Sequence, residues 1–161
     1  MPDPALSREQ VCQSAAQRIR DAIPSLASTR ALIGLDGFVD EIIEVVDTRQ
    51  DLTHYQRMRT IDQLGRKFVN AAGQSSNYEM IVKQMKLGGN GPIMANALAK
   101  AGLSVTYVGA LGYPNPHPVF ETLGRDAEVI TVGDAGHTDA LEFDDGKIML
   151  GKYTCFDEVN W

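Results

Sequence analysis

A chain of 161 residues, 43% hydrophobic and 22% charged, has the balance of an ordinary globular protein, which excludes wholesale disorder and favours one core over two. Its formal net charge of -6 excludes a nucleic-acid binder, because affinity for a phosphate backbone needs clustered Lys and Arg. Cys12 and Cys155 lie far apart with no CxxC or Cys/His spacing, so they read as buried or free thiols of a reducing compartment and not as metal ligands.

Ser7 with Gln10 has the form of a capping box, and Val11, Ala15, Ile19 and Ile23 recur at helical spacing until Pro24. This predicts a helix packed on the core. No apolar h-region follows Met1, and no apolar run approaches the roughly 18 residues of a membrane span, so a soluble, cytoplasmic protein without a membrane partner is expected. Ala31–Gly34 reads as a short buried strand, leading into Asp36 and Asp40, which flank Gly37.

The pattern from Asp51 to Lys86 is helical, with one stripe of Ile61, Leu64 and Phe68 and a second of Met80, Ile81 and Met85. Arg57, Arg59, Arg66 and Lys67 spread along this region as a solvated face, and His54, without a partner in sequence, has a surface or capping role. The glycine-rich turn Gly88-Gly89-Asn90-Gly91 then opens an Ala-rich helix with Pro92 in its first turn and Gly102 at its stop. Leu103–Gly109 is a strand, and the sequence of turn, helix and strand is half of a βαβ crossover. A proline-punctuated loop, a short helix at Val119–Leu123 and a strand at Ala127–Val132 follow. Thr138–Leu150 reads as a hairpin turning at Asp144-Asp145-Gly146.

Carboxylates at the end of a buried strand lie where α/β sheets bind ligands, although Asp36 as a turn cap and Asp40 as a solvated residue is the plainer reading of those two alone. The glycine turn has a physical use. Without Cβ atoms Gly88, Gly89 and Gly91 let a ligand approach the backbone, and the free N–H groups of the following helix point at it. The spacing fits neither a Walker loop, which needs Gly-Lys-Ser/Thr, nor the Gly-x-Gly-x-x-Gly dinucleotide fingerprint.

The turn resembles the first signature of the ribokinase-like, PfkB-type sugar kinases. Ala95 follows it in the helix, six residues separate Ala95 from Gly102, and nine separate Gly102 from Gly112. Ile93 departs, standing where that family usually has an asparagine that contacts substrate. The resemblance implies a three-layer α/β/α fold with a mostly parallel sheet and a small β lid, truncated here. Residues 1–29 would be an N-terminal helix and residues 30–161 the sugar-binding half and lid. It further implies a hydroxymethyl group on a sugar or nucleoside as phosphoryl acceptor, and ATP with Mg²⁺ in the intact enzyme. Asp40, with Asp36 second, would bind sugar hydroxyls, and Gly88, Gly89, Asn90 and Gly91 would orient the ring.

No catalytic and no metal residue is assigned. The family's Gly-Ala-Gly-Asp turn, its Asn-x-x-Glu motif and its nucleotide-binding segment have no match, and Gly133-Asp134-Ala135-Gly136 reads as an ordinary turn after a strand. ATP and Mg²⁺ are therefore not expected to bind this chain strongly. Self-association through the lid or an exposed sheet edge is a further expectation. Two rival readings stay open: a non-catalytic ligand-binding module or subunit completed by another chain, and an unrelated α/β protein with an accidental glycine turn.

Overall fold

Ser7 and Gln10 form the reciprocal cap their spacing predicts: the Gln10 amide donates to Ser7 Oγ at 3.3 Å and the Ser7 amide to Gln10 Oε1 at 2.9 Å. They open α1 (Arg8–Leu26) in a computed structural model that describes residues 6–158, the side chains of Cys155 and Glu158 excepted. The helix does not stop at Pro24. It loses one N–H there, but the Ser25 and Ser28 hydroxyls donate to the Ala22 and Ser25 carbonyls and carry the chain past Leu26. Nor does it pack on the core: none of its residues is buried, and Val11, Ile19 and Ile23 are 51%, 65% and 55% exposed. An apolar stripe shows that a helix has a face to cover without showing what covers it. Cys12 on this helix is an exposed free thiol; the Cys155 side chain lies outside the described residues.

The chain continues as β1 (Arg30–Ile33), β2 (Phe38–Arg49), β3 (Tyr55–Arg57), α2 (Ile61–Asn70), β4 (Met80–Gly88), α3 (Asn90–Lys100), β5 (Ser104–Ala110), α4 (Glu121–Asp126), β6 (Glu128–Gly133), β7 (Gly136–Phe143) and β8 (Gly146–Lys152). Short 3-10 turns occupy Pro118–Phe120 and Thr154–Glu158. These elements form two sheets, called here the body and the lid.

The body is a parallel sheet in the order β1-β5-β6, with α3 and α4 on one face. Alternation along β5 sends Val105 and Tyr107 into a core with Ile33, Ala95, Leu111, Phe120 and Leu123. The opposite face is open. Leu32, Ile130 and Val132 stand 76%, 45% and 46% exposed there, since α1 buries nothing against it.

The lid is a second sheet in the order β3-β2-β7-β8, with β4 on the other edge of β2. Here β2 and β7 run parallel, whereas β3, β4 and β8 pair antiparallel, so the lid is a mixed sheet beside the parallel body. Residues 80–88 are a strand and not the second helical stripe read from Met80, Ile81 and Met85. The strand lies at an edge with most side chains exposed, so its alternation is invisible in sequence, and only its ladder with the buried run of β2 decides its state. A second capping box, Thr60 with Gln63, starts α2, and Leu64 packs it onto Ile43, Val45, Met58, Leu141 and Phe143. Arg57 lies on β3 and not on a helix; it pairs with Asp144 and, at 3.8 Å, with Glu44. His54 is exposed, and its ring pairs with the Asp51 carboxylate, which itself accepts the Thr53 and His54 amides. The hairpin is β7 and β8, turning between Phe143 and Gly146. Among the described residues no helix is long and apolar enough to cross a membrane.

Candidate functional site

The chain passes between body and lid three times: from β1 to β2, from β4 to α3, and from β6 to β7. Hydrogen bonds tie these crossings together. The Gly136 amide donates to the Gly37 carbonyl at 2.7 Å, and the Ala110 amide to the Leu35 carbonyl at 3.0 Å. Backbone packs so closely that a Cβ on Gly37 would collide with the Ala110 carbonyl and Leu111. The glycine turn therefore sits at the junction of two sheets, at the C-terminal end of β1, where open α/β sheets place their ligands.

Every residue assigned to the site from sequence meets here. Asp36 Oδ1 accepts the Gly91 amide at 3.0 Å, so this carboxylate caps the first turn of α3. Gly89 has φ of +90°, a conformation that side chains disfavour, and a Cβ there would lie 2.6 Å from Asp36 Oδ2. A Cβ on Gly91 would meet Asp36 Oδ1 at 2.5 Å and Tyr107 Oη at 2.6 Å. On the other side of the turn, a Cβ on Gly88 would lie 2.5 Å from Asp40 Cγ. Asp40 stands on β2 opposite Lys86 of β4 and Thr138 of β7, and its carboxylate makes no hydrogen bond among the described residues. Asn90, the first residue of α3, is exposed, as is Ile93. The two carboxylates thus differ: Asp36 is engaged by the protein and Asp40 is free to accept hydroxyl donors.

Sequence reading missed Tyr107. An aromatic residue on a β-branched strand reads as core, and Tyr107 is indeed fully buried, but its hydroxyl donates to the Asp36 carbonyl and lies 3.5 Å from Asp36 Oδ1. Burial, and then the nearby Asp36 charge, hold its phenol above the ordinary tyrosine range. Asn96 was missed too: its Oδ1 is buried on α3, one turn beyond Ile93, with no donor among the described residues. Asp134, at the echo of a glycine-acid turn, accepts the Tyr113 amide at 3.0 Å in the β6–β7 connection.

A parallel α/β body carrying a β lid, with a glycine turn and two carboxylates at their junction, has the parts of a ribokinase-like carbohydrate kinase. The sequence profile of prokaryotic ketohexokinase matches residues 8–161, and the chain belongs to that family of ribokinase-like kinases. The match includes α1. A curated ketohexokinase from Haloferax volcanii is 33% identical over 150 residues, covering 91% of this chain and 40% of its own length. This chain therefore spans well under half of that relative. Among solved structures, ribokinase from Cryptococcus neoformans in complex with ADP aligns at 16% identity and a TM-score of 0.46, over 77% of this chain and 34% of its own. Ribokinase from Arabidopsis thaliana with ribose and ATP aligns at 17% identity and a TM-score of 0.41, over 77% of this chain and 35% of its own.

Proposed function

We propose that this chain carries the sugar-binding part of a ketohexokinase, in which ATP with Mg²⁺ phosphorylates a hydroxymethyl group of a ketohexose. Residues 30–161 form the sugar-binding half and lid, with residues 1–29 as an N-terminal segment. Asp40 accepts hydrogen bonds from sugar hydroxyls, Asp36 fixes the turn, and Gly88, Gly89 and Gly91 let the ring approach the backbone, with Asn90 as a polar contact at the mouth. The observation that carries this reading is the convergence of the unengaged Asp40 carboxylate and the Gly88–Gly91 turn at one body–lid junction.

Among the described residues there is no cluster of three or more His, Cys, Asp or Glu that could hold a metal ion. No phosphoryl-transfer step is assigned to them, and the reading confines this chain to binding. A binding unit completed by another polypeptide is a second reading, favoured by the open body-sheet face of Leu32, Ile130 and Val132.

A thermal-shift panel of hexoses, pentoses and nucleosides, with and without MgATP, tests the proposal, since a ligand that binds only the native state raises its melting temperature. A rise with ketohexoses that does not require MgATP and is absent in Asp40→Asn is the expected outcome. Turnover by this chain, or a rise with MgATP alone, would contradict the confinement to binding.

A further inference from the structure

A second polar cleft, of about 520 Å³, lies behind the lid junction and takes no part in the site described above. One wall is the body loop after β5, with Tyr113, Asn115 and His117; the other is the crossing into the lid, with Asp134 and His137. His137 stands opposite Val39 on the parallel β2–β7 pair, whereas Asp40 stands opposite Thr138. Neighbouring residues of a strand point to opposite faces, so His137 and the cleft look away from the Asp40 carboxylate.

The side chains of the cleft have hydrogen-bonding capacity to spare. The Val119 amide donates to His117 Nδ1 at 3.2 Å, which places the proton of the neutral ring on Nε2 as a free donor. The rings of His117 and His137 lie edge to face at 6.4 Å between centroids. Asp134 uses Oδ1 for the Tyr113 amide, and its Oδ2 makes no hydrogen bond among the described residues. Asn115 offers an amide that both donates and accepts.

The chemistry selects the ligand. No Lys or Arg lines the cleft and Asp134 is its one carboxylate, which disfavours an anion. The two histidines and Asp134 do not form a cluster able to hold a metal ion. What remains suits a molecule with many hydroxyls, each able to donate to a carboxylate and accept from an imidazole, and with C–H faces that lie on Tyr113 and the flanking prolines. A volume of this size is within the roughly 300–1,000 Å³ of small-molecule sites.

We propose that this cleft binds a small neutral polyhydroxylated molecule, a sugar or polyol, held between its two walls. The proposal stands apart from the kinase reading, because none of its residues belongs to the Asp36, Asp40 and Gly88–Gly91 site.

Site-resolved NMR of the isotope-labelled chain tests it, with D-fructose and D-sorbitol titrated separately so that a ketose is distinguished from a polyol lacking the carbonyl. The expected result is a saturable shift of the Gly112, Asn115 and Asp134 amides and of both histidine rings with at least one probe. It persists in Asp40→Asn and weakens about tenfold or more in Asp134→Asn and His137→Gln. Asp134 and His137 are exposed, so these variants keep the fold, which the dispersion of the same spectra verifies. Cleft shifts without any at residues 36–40 or 88–91 support this proposal and count against the sugar-kinase reading. Shifts only at the glycine turn, no shifts at all, or cleft shifts unchanged in both cleft variants overturn it.

Discussion

Asp36 and Gly91 are joined by a hydrogen bond of 3.0 Å from the amide at the start of α3 to the carboxylate that ends the β1 crossing. The bond anchors the glycine turn to the body and occupies one oxygen of the carboxylate that, by its place in sequence, competes with Asp40 for the role of sugar ligand. The Tyr107 hydroxyl holds the same residue by its carbonyl, so Asp36 is gripped from two directions. In the proposed site the rigid half is thus Asp36, Gly91 and Tyr107, and the half open to a ligand is Asp40 and Gly88.

The two aspartates should then separate stability from binding. Asp36→Ala leaves a helix-start N–H without its cap and is expected to cost about 1–2 kcal/mol. Asp40→Asn removes no hydrogen bond of the described structure and should change stability by less than about 0.5 kcal/mol. Urea denaturation of the two variants measures both.

Gly89 and Gly65 should respond in opposite directions to alanine. At Gly89 the positive φ and the contact with Asp36 make a Cβ costly by at least about 1–2 kcal/mol. Gly65 lies within α2 with nothing within 4 Å of an added Cβ, so Gly65→Ala should stabilise by about 0.5–1 kcal/mol. Melting curves recorded side by side give the signs.

Tyr107 predicts an alkaline signature. Its folded-state value is raised, so the stability contributed by the neutral phenol is fully present below the ordinary 10.0 and is lost as pH rises from there toward the folded value. Tyr107→Phe lacks this group. The stability gap between wild type and variant should change between about pH 8 and about pH 11, to the disadvantage of the wild type. A gap independent of pH would remove Tyr107 from this role.

The uncovered apolar surfaces predict both loose structure and association. With no buried residue, α1 depends on its caps and local pairs, which are marginal support for an isolated helix. Its amides should exchange with solvent earlier than those of α3, which buries Ala95 and Ala99. Leu32→Lys with Ile130→Lys on the open sheet face should reduce concentration-dependent self-association measured by light scattering.

How much of this was legible in the sequence depended on range. Ser7 and Gln10, Gly89 with Pro92, and the Asp144–Gly146 turn announce themselves because each structure is made by residues a few positions apart. The glycine turn and the two aspartates could be picked out as candidate site residues for the same reason. Residues 80–88 were misread because an exposed edge strand shows no period and takes its state from β2, roughly forty positions earlier along the ladder. Tyr107 was invisible as a site residue because its bond to Asp36 spans 71 positions. The open body face was likewise unreadable, since alternation in β1 and β6 gives an apolar side without naming its cover.

The central claim, that Asp40 and the Gly88–Gly91 turn receive a sugar, is tested most directly by calorimetric titration of D-fructose into the wild-type chain and into Asp40→Asn. Saturable heat in the wild type that weakens at least about tenfold in the variant, with an unchanged melting temperature, is the predicted result. Equal binding by both proteins would place the sugar elsewhere and contradict the account.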